Sequence, residues 1–348
     1  MNAKANSTVP AGILPAHAIR RLGEEGGIRS FVPFDADQIQ PASLDLRLGD
    51  HAYRVRASFL PGPGRTVAER LDDLKLHRFP LADGAVLETG CVYIVPLVEE
   101  LRLPASIAAA ANPKSSSGRL DIFVRVIADG AGEFDQIPAG YKGPLYAEIS
   151  PRTFSILART GSRLAQVRFR QGGPQRLREI SLSVDLAGLS DGEPVGFRAK
   201  RHSGLIDVDA KAALDVDDFW EPIRERGRLI LDPDQFYILA SREAVRIAPT
   251  EAAEMEPFNP LVGEFRVHYA GFFDPGFGDV AGGGEGARAV LEVRSHEVPF
   301  ILEDGQTIGR LVYEPLTEPP EQVYGQGIGS NYQKQGLKLS KHFRPFKP

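Results

Sequence analysis

The sequence predicts a mostly β protein organised as two copies of one domain. Glycine and proline, at 36 and 27 of 348 residues, punctuate short runs rich in Val, Ile, Leu, Phe and Tyr. Such punctuation favours short strands joined by many turns over a helical bundle. An internal repeat indicates that this pattern occurs twice along the chain.

The repeat has a constant offset in two widely separated pairs of segments. Residues 88–112 resemble residues 231–255, and residues 145–169 resemble residues 289–315. The pairs that match at a separation of 144 residues are Tyr93 with Tyr237, Glu99 with Glu243, Arg102 with Arg246, Glu148 with Glu292, and Gly161 with Gly305. One offset over distant segments indicates a duplicated domain, and the period is far longer than that of a solenoid repeat.

The duplication predicts two domains, residues 1–180 and 181–348. Residues 181–197 are interpreted as the crossing between them. Residues 15–28 have helical apolar spacing with glycines at the end, which predicts a helix. Residues 217–231 are predicted to form a second short helix, and most of the remainder reads as strands.

The composition excludes several classes of function. A net charge of −5, with 25% charged residues of both signs, lacks the basic footprint typical of nucleic-acid or membrane binding. The only cysteine, Cys91, excludes a disulfide framework and a zinc site built from several thiolates. No secretory leader is recognised, and no apolar run approaches the roughly 18 residues that span a bilayer. We therefore expect a cytoplasmic protein.

A polar motif, NPKSSSGRL, precedes an apolar strand at residues 112–120. It reads either as an ordinary polar turn or as an anion cradle. In the second reading, backbone N–H groups and the hydroxyls of Ser115, Ser116 and Ser117 donate hydrogen bonds to phosphate oxygens, while Lys114 and Arg119 neutralise charge. The order of residues is not that of a Walker-type loop.

Two further motifs lie in the second repeat. In VHYAGFFDPGFG (267–278), Asp-Pro-Gly indicates a turn, and Asp274 is alternatively a ligand for a sugar hydroxyl. In AVLEVRS (289–295), Glu292 interrupts an apolar strand, so it is either on a solvated face or buried and functional. A buried glutamate has a raised pKa, which suits proton transfer near neutral pH. Arg159 and Arg163 are expected on a solvated turn.

Taken in order, GRL before an apolar strand, AGFxDPGF, VLEV and NYQKQG resemble dCTP deaminase, a member of the dUTPase-like superfamily. The segment QPASLDLRLGDHAYRV (40–55) also resembles the opening of this family. The resemblance covers nearly the whole chain as two copies, as in the double-length bacterial form. It implies two tandem dUTPase-like distorted antiparallel β-barrels with a few short helices.

The resemblance also implies an activity and its residues. The reaction is the zinc-independent hydrolytic deamination of dCTP to dUTP and ammonia, with Glu292 as the proton carrier. Zinc deaminases need H-x-E and P-C-x-x-C motifs, and a chain with one cysteine cannot supply the second. The substrate-binding positions that match are Lys114, Ser115, Ser116, Arg119, Ala270, Asp274, Tyr324 and Gln335.

The two copies keep these motifs unequally. Repeat one keeps the serine cradle, with Lys114 where an arginine is usual, and repeat two keeps the Asp-Pro-Gly motif. Both keep the strand carboxylate, as Glu148 and Glu292. In single-length relatives, neighbouring subunits supply the cradle and the glutamate. We therefore expect repeat one to supply the cradle and repeat two the catalytic Glu292, with Glu148 as the second choice.

The C-terminal segment 325–343 is rich in Gly, Gln and Lys. It reads either as a disordered terminus or, by resemblance, as a lid over the nucleotide. The family lysine before the Tyr-Gln pair is Asn331 here, so Lys334 or Lys338 is the expected substitute.

Three alternatives stay open at this point. They are a dUTPase, a bifunctional enzyme that releases dUMP and diphosphate, and a non-catalytic nucleotide sensor. Phe277 replaces the usual dUTPase tyrosine, and NYQKQG is not that family's arginine-rich tail. We expect Mg²⁺ to arrive with the triphosphate. We also expect a homo-oligomer, inhibition by dTTP, and no metal held by the protein itself.

Overall fold

The computed structural model describes residues 10–188, 192–257, 265–268, 271–295, 297–325, 332 and 335–347. Over these residues the chain is mostly β, which confirms the predicted fold class. Four α-helices occur in the described ranges, and all of them are short. No helix in the described part of the chain combines the length and the apolarity that crossing a membrane requires.

The first half forms two six-stranded sheets and contributes to a third, smaller one. Its strands are β1 Gly12–Ile13, β2 Ile28–Ser30, β3 Ile39–Gln40, β4 Ser43–Leu46, β5 His51–Val55, β6 Lys75–Pro80, β7 Ala85–Leu87, β8 Val92–Arg102, β9 Ile107–Pro113, β10 Ile122–Ala128, β11 Gln136–Ile137, β12 Lys142–Pro151, β13 Ile156–Ala158 and β14 Ala165–Gln171. One sheet has the order β11-β9-β14-β4-β3, with β1 beside β14. The other has the order β10-β12-β8-β5-β6, with β2 beside β8.

The second half repeats this plan in reduced form. Its strands are β15 Arg178–Ser183, β16 Gly196–Ala199, β17 Ile206–Asp207, β18 Trp220–Ile223, β19 Arg228–Leu231, β20 Phe236–Val245, β21 Glu251–Pro257, β22 Phe265–His268, β23 Phe272–Phe273, β24 Ala287–Ser295, β25 Phe300–Glu303 and β26 Thr307–Pro315. Its main sheets have the orders β15-β26-β21-β23 and β18-β16-β20-β24-β22. The predicted domain boundary, between residues 180 and 181, falls inside β15.

The internal repeat is visible as the same contact made twice. The Tyr93 hydroxyl oxygen accepts a hydrogen bond from the Glu88 backbone N–H at 3.1 Å. The Tyr237 hydroxyl accepts the equivalent bond from the Asp232 backbone N–H at 2.9 Å. Each tyrosine therefore closes the turn that leads into the central strand of its half, β8 or β20.

The helices are α1 Ala16–Glu24, α2 Val67–Leu74, α3 Ser115–Gly118 and α4 Val216–Phe219. Helix α1 confirms the helix predicted within residues 15–28. The helix predicted over 217–231 is wrong beyond Phe219, because Trp220–Ile223 and Arg228–Leu231 are strands β18 and β19. Pro222 lies in this stretch, and proline cannot donate the hydrogen bond that a helix interior needs.

The two halves share one apolar core at their junction. Phe154 of the first half packs edge-on against Trp220 of the second, with ring centroids 5.5 Å apart. Phe343 from the C-terminal segment lies 6.0 Å from the same indole. Strand β17 of the second half pairs in parallel with β13 of the first. Side chains from both halves therefore meet at fixed positions.

Replacing Phe154 with alanine tests this junction. We expect Phe154→Ala to lower the free energy of unfolding by about 3–5 kcal/mol, because it removes a buried aromatic ring and leaves a cavity. Trp220 is the only tryptophan and is fully buried, so its fluorescence reports the change directly. Urea unfolding followed by circular dichroism measures the loss. Phe31→Ala is the matched control, since Phe31 is 93% exposed, and an equal loss there would contradict the assignment.

Candidate active site

A cavity of about 350 Å³ lies at the junction and is lined by residues of both halves. It contains most of the site residues predicted from sequence, namely Lys114, Ser115, Ser116, Arg119, Asp274, Glu292, Tyr324 and Gln335. Ala270 lies outside the described residues, as do Asn331 and Lys334. The cradle of repeat one and the glutamate of repeat two thus meet within a single chain.

Glu292 lies in the middle of β24 and is 4% exposed. Its backbone is paired with Ile238 of β20 on one side and with His268 of β22 on the other. Burial raises the pKa of Glu292 to about 8, although the nearby Arg119 guanidinium acts to lower it. The carboxyl group is therefore mostly protonated at neutral pH and able to exchange a proton there.

Arg119 links the first half to this carboxyl group and to the C-terminal segment. It follows α3 directly, and its Nε lies 3.9 Å from Glu292 Oε1. Its other nitrogens donate to the Lys338 carbonyl at 2.9 Å and to Gln335 Oε1 at 3.1 Å. The guanidinium also lies 3.9 Å from the centroid of the Tyr332 ring. Arg119 thereby holds the C-terminal segment against the cavity.

Gln335 is anchored on its other side to the strand that carries Glu292. Its side-chain Nε2 donates to the Arg288 backbone carbonyl at 2.9 Å, and its backbone carbonyl accepts from the Arg288 backbone N–H at 3.0 Å. Lys338, one of the two expected substitutes for the family lysine, has its Nζ 5.7 Å from the Tyr332 ring centroid. Residues 335 and 338 of the segment therefore lie against the site, whereas the lid stays a prediction.

Asp274 occupies the turn that follows β23. Its backbone carbonyl accepts from the Phe277 N–H at 3.1 Å, which closes the Asp-Pro-Gly turn. Its side chain accepts from Arg168 at 3.3 Å, and Arg168 also donates to the Ala253 carbonyl at 2.9 Å. Burial raises the pKa of Asp274, while Arg168 opposes that rise. Arg168, which is buried in β14 of the first half, fixes the position of this carboxylate.

An aromatic wall bounds the cavity beside Asp274. The rings of Phe273 and Phe277 meet edge-on with centroids 5.2 Å apart, and Phe277 lies 5.6 Å from Tyr324. The Tyr324 hydroxyl oxygen accepts a hydrogen bond from the Tyr332 N–H at 3.2 Å. Phe277 thus presents an apolar ring at the wall of the cavity.

The serine cradle forms the single turn α3, with Lys114 at its start. Lys114 forms an ion pair with Asp45, a buried carboxylate near the end of β4. Asp45 Oδ1 is buried and has no hydrogen-bond partner among the described residues. Sequence reasoning missed Asp45, although it lies in the segment that resembles the family opening. Its signal was the same as that of Glu292, a carboxylate within an apolar strand.

Three further cations of the cavity were not predicted, namely Arg163, Lys211 and Lys341. Burial, together with the neighbouring Lys114 and Lys211, lowers the pKa of Lys341 to about 8. Mutual repulsion of this kind is relieved by a bound polyanion. The solvated position expected for Arg163 is wrong, because its side chain is only 19% exposed and lies 3.7 Å from Asp45.

Glu148, the second choice for the catalytic carboxylate, lines none of the cavities found at the junction. It is 2% exposed and accepts a hydrogen bond from Arg125 Nε at 3.0 Å. The Arg125 guanidinium in turn lies 3.8 Å from the centroid of the Phe134 ring. Two nitrogens of Arg125 therefore donate to one oxygen of this carboxylate, Oε1, whereas Oε2 is buried with no hydrogen-bond partner among the described residues. Among the described residues, no group of three or more His, Cys, Asp or Glu side chains is arranged to hold a metal ion.

Comparisons with known proteins identify the family of the chain. The family model for the C-terminal domain of 2'-deoxycytidine 5'-triphosphate deaminase matches residues 160–343, and the model for the N-terminal domain matches residues 10–173. The chain belongs to the dCTP deaminase family.

A solved relative covers most of the chain. The crystal structure of 2'-deoxycytidine 5'-triphosphate deaminase from Agrobacterium tumefaciens is 60% identical, with a TM-score of 0.85 over 88% of this chain and 99% of that one.

Curated dCTP deaminases match a smaller part of this chain. A dCTP deaminase of Halorubrum lacusprofundi is 33% identical over 39% of this chain and 65% of its own length. A dUMP-forming dCTP deaminase of Corynebacterium jeikeium is 29% identical over 46% of this chain and 80% of its own length. Each of these alignments covers less than half of the chain, in agreement with the duplication.

The buried carboxyl group of this dCTP deaminase family member makes stability depend on pH. The pKa of Glu292 is raised from 4.5 to about 8, so its proton stabilises the fold fully below about pH 4.5. That contribution is lost as the pH rises through 8. Glu292→Gln has no titratable group at this position, so its free energy of unfolding lacks this pH dependence. Relative to wild type, it should therefore rise by about a few kcal/mol as the pH increases from roughly 5 to 8.5.

Urea titrations of both proteins across this range measure the difference. Glu303→Gln, at an exposed position, is the matched control and should track wild type throughout. A constant difference between Glu292→Gln and wild type would contradict the raised pKa.

Proposed function

We propose that this protein catalyses the hydrolytic deamination of dCTP to dUTP and ammonia without zinc. The observation that carries the proposal is the buried Glu292 carboxyl group beside a cavity lined by cations from both halves. Membership of the dCTP deaminase family and the name of the Agrobacterium relative support the choice of substrate.

The electrostatics of the cavity favour a triphosphate. Lys114, Lys211 and Lys341 lie at one cavity, and burial, followed by repulsion from Lys114 and Lys211, lowers the pKa of Lys341. The negative charge of a triphosphate would favour the charged form of these lysines, and the Ser115 and Ser116 hydroxyls would donate to its oxygens. Mg²⁺ would enter with the triphosphate, because the nearby Asp45 and Asp274 are already paired with Lys114 and Arg168.

The base and sugar then occupy the part of the cavity that Asp274, Phe277 and Glu292 line. Asp274 accepts a hydrogen bond from a deoxyribose hydroxyl, and Phe277 packs against the carbon face of the sugar. This orientation directs the cytosine ring towards Glu292, whose carboxyl group is the nearest proton donor and acceptor.

Proton transfer through Glu292 completes the reaction. The protonated carboxyl group donates its proton to N3 of cytosine. The resulting carboxylate then removes a proton from water while the water oxygen forms a bond to C4. Glu292 then passes a proton to the C4 amino group and regains one from the C4 hydroxyl. The C4–N4 bond breaks, ammonia leaves and the C4 carbonyl of uracil forms. A pKa of about 8 suits both directions of transfer near neutral pH.

Arg119 adjusts the proton affinity of Glu292 during this reaction. Its guanidinium limits the rise in the pKa of Glu292, so the ionised form stays accessible during the reaction. Through Gln335 and Lys338 it also holds the C-terminal segment over the cavity. Exclusion of water there strengthens the contacts between charged groups.

The roles of the two glutamates are separated by matched substitutions. We expect Glu292→Gln to lower the rate of ammonia release from dCTP by roughly 10²–10⁴-fold, because the proton carrier is lost. Glu148→Gln should keep near wild-type activity per folded molecule. A coupled ammonia assay measures both, with circular dichroism as the check on folding. A folded, inactive Glu148→Gln beside an active Glu292→Gln would overturn the assignment. Binding of dCTP without turnover by wild type would instead favour a nucleotide sensor.

A second candidate is a bifunctional enzyme that forms dUMP. Several relatives, 29–34% identical, are named dUMP-forming dCTP deaminases. In that case dUTP stays bound and a second water attacks the triphosphate, which releases diphosphate. The cation cluster around Lys341 would serve either outcome.

Product analysis on dCTP distinguishes the two candidates. We expect dUTP and ammonia in equal amounts with no diphosphate, as measured by anion-exchange chromatography of a complete turnover. Stoichiometric dUMP and diphosphate would establish the bifunctional alternative. Release of diphosphate from dUTP but no ammonia from dCTP would indicate a dUTPase. The homo-oligomer, the cytoplasmic location and the inhibition by dTTP stay predictions.

A further inference from the structure

A second polar cavity, of about 500 Å³, lies at the junction and shares no lining residue with the candidate active site. Its first-half wall includes Arg152 and Thr153, which follow β12 directly. Its second-half wall includes Arg201, Arg294 and Asp234. The proposed deamination uses none of these side chains.

The lining of this cavity carries excess positive charge. Arg294 is paired with the buried Asp121, so the excess charge comes from Arg152 and Arg201, opposed by one lining carboxylate, Asp234, whose side chain is 81% exposed. Four hydroxyl groups, those of Thr89, Thr153, Ser155 and Ser203, also line the cavity. Thr153 already donates to Asp121 and Ser203 to the Lys200 carbonyl, so Thr89 and Ser155 are the hydroxyl donors considered for a ligand. Guanidinium groups with neighbouring hydroxyls match the charge and the many acceptor atoms of a phosphate group.

One of the three arginines is buried and incompletely satisfied. Arg294 is 8% exposed, forms an ion pair with Asp121 and donates to Thr153 Oγ1 at 3.0 Å. Its Nε is buried and has no hydrogen-bond partner among the described residues. Buried donors are usually paired, so this position favours an additional acceptor. The other two arginines are exposed, and Arg201 lies beside the Gln235 amide.

We propose that this cavity binds the phosphate groups of a small anion and is a second ligand site, separate from the candidate active site. Arg152 and Arg201 contact the anion from opposite halves of the chain, and Arg294 lies at its base. Because both halves line the cavity, a bound anion bridges them.

Two pairs of residues that are close in sequence connect this cavity to the candidate active site. Arg294 and Glu292 are two residues apart on β24, so they share a face of the strand. Asp121 and Arg119 are two residues apart in the segment after α3. Arg119 lies beside Glu292, and Asp121 is paired with Arg294. An anion that draws on Arg294 therefore competes with Asp121 and acts on the segment that carries Arg119.

Inorganic pyrophosphate is the probe for binding, titrated by calorimetry at low ionic strength. We expect wild type to show two classes of site, since the active-site lysines also attract this anion. Arg152→Ala/Arg201→Ala should weaken one class at least tenfold and leave the other, whereas Lys341→Ala should weaken the other. The paired control is Arg65→Ala/Arg228→Ala, at two exposed positions outside the cavities. An unchanged titration for Arg152→Ala/Arg201→Ala, or an equal loss in the control, would overturn the site.

The same titration with dATP distinguishes a free phosphate from a nucleotide as the source of the anion. Equal affinities for pyrophosphate and dATP indicate that the phosphates alone are recognised. A tighter fit for dATP indicates a nucleotide.

The coupling rests on the proposed function and has a separate test. At saturating dCTP, where competition at the active site is removed, pyrophosphate should change kcat at least twofold in wild type. It should have no effect in Arg152→Ala/Arg201→Ala, whose kcat without pyrophosphate should equal that of wild type. Binding without any change in kcat would overturn the coupling, whereas absence of deamination in both proteins would overturn the proposed function and leave the binding result intact.

Discussion

The candidate site depends on a carboxyl group that is buried in an apolar strand next to a cation from the other half of the chain. Removing Glu292 from water disfavours its ionised form, and Arg119 at 3.9 Å partly restores it. The balance fixes the proton affinity of the group near neutrality. It also requires that α3 and β24 keep their spacing, which the shared aromatic core around Trp220 maintains. Neither half contains both partners, so the packing between halves is a chemical requirement and not only a source of stability.

Much of the fold and of the site was predictable from sequence, for identifiable reasons. The 144-residue offset indicated the duplication, and its equivalent tyrosine contacts follow from it. Glu292 was recognised because a carboxylate interrupts an apolar strand. Asp45 and Arg168 carry the same kind of signal, a charge within a strand, but their partners Lys114 and Asp274 are distant in sequence, so their roles needed the structure. Lys341 has no local pattern at all, and only the path of the C-terminal segment brings it to the cavity. The helix expected after Phe219 fails because pairing of β18 with β16 outweighs a weak local preference.

The two repeats use one scaffold for different purposes. In the first, the carboxylate of Glu148 is neutralised by Arg125, which Phe134 covers. In the second, Glu292 has a cavity in front of it, and its cation comes from elsewhere in the chain. A change in the partner of one strand residue therefore separates a structural ion pair from a group available for chemistry. The loss of the Asp-Pro-Gly turn in repeat one and of the serine pair in repeat two follows the same division.

Arg119 and Glu292 belong to one polypeptide, which changes how assembly of this centre depends on protein concentration. Where such groups reside on separate molecules, dilution removes the centre by dissociation. A covalent linkage holds the effective concentration of one half around the other high and constant, in the manner of tethered binding modules. Arg119 and Glu292 therefore come together when the chain folds, in a first-order step. Like folding itself, this step does not depend on protein concentration.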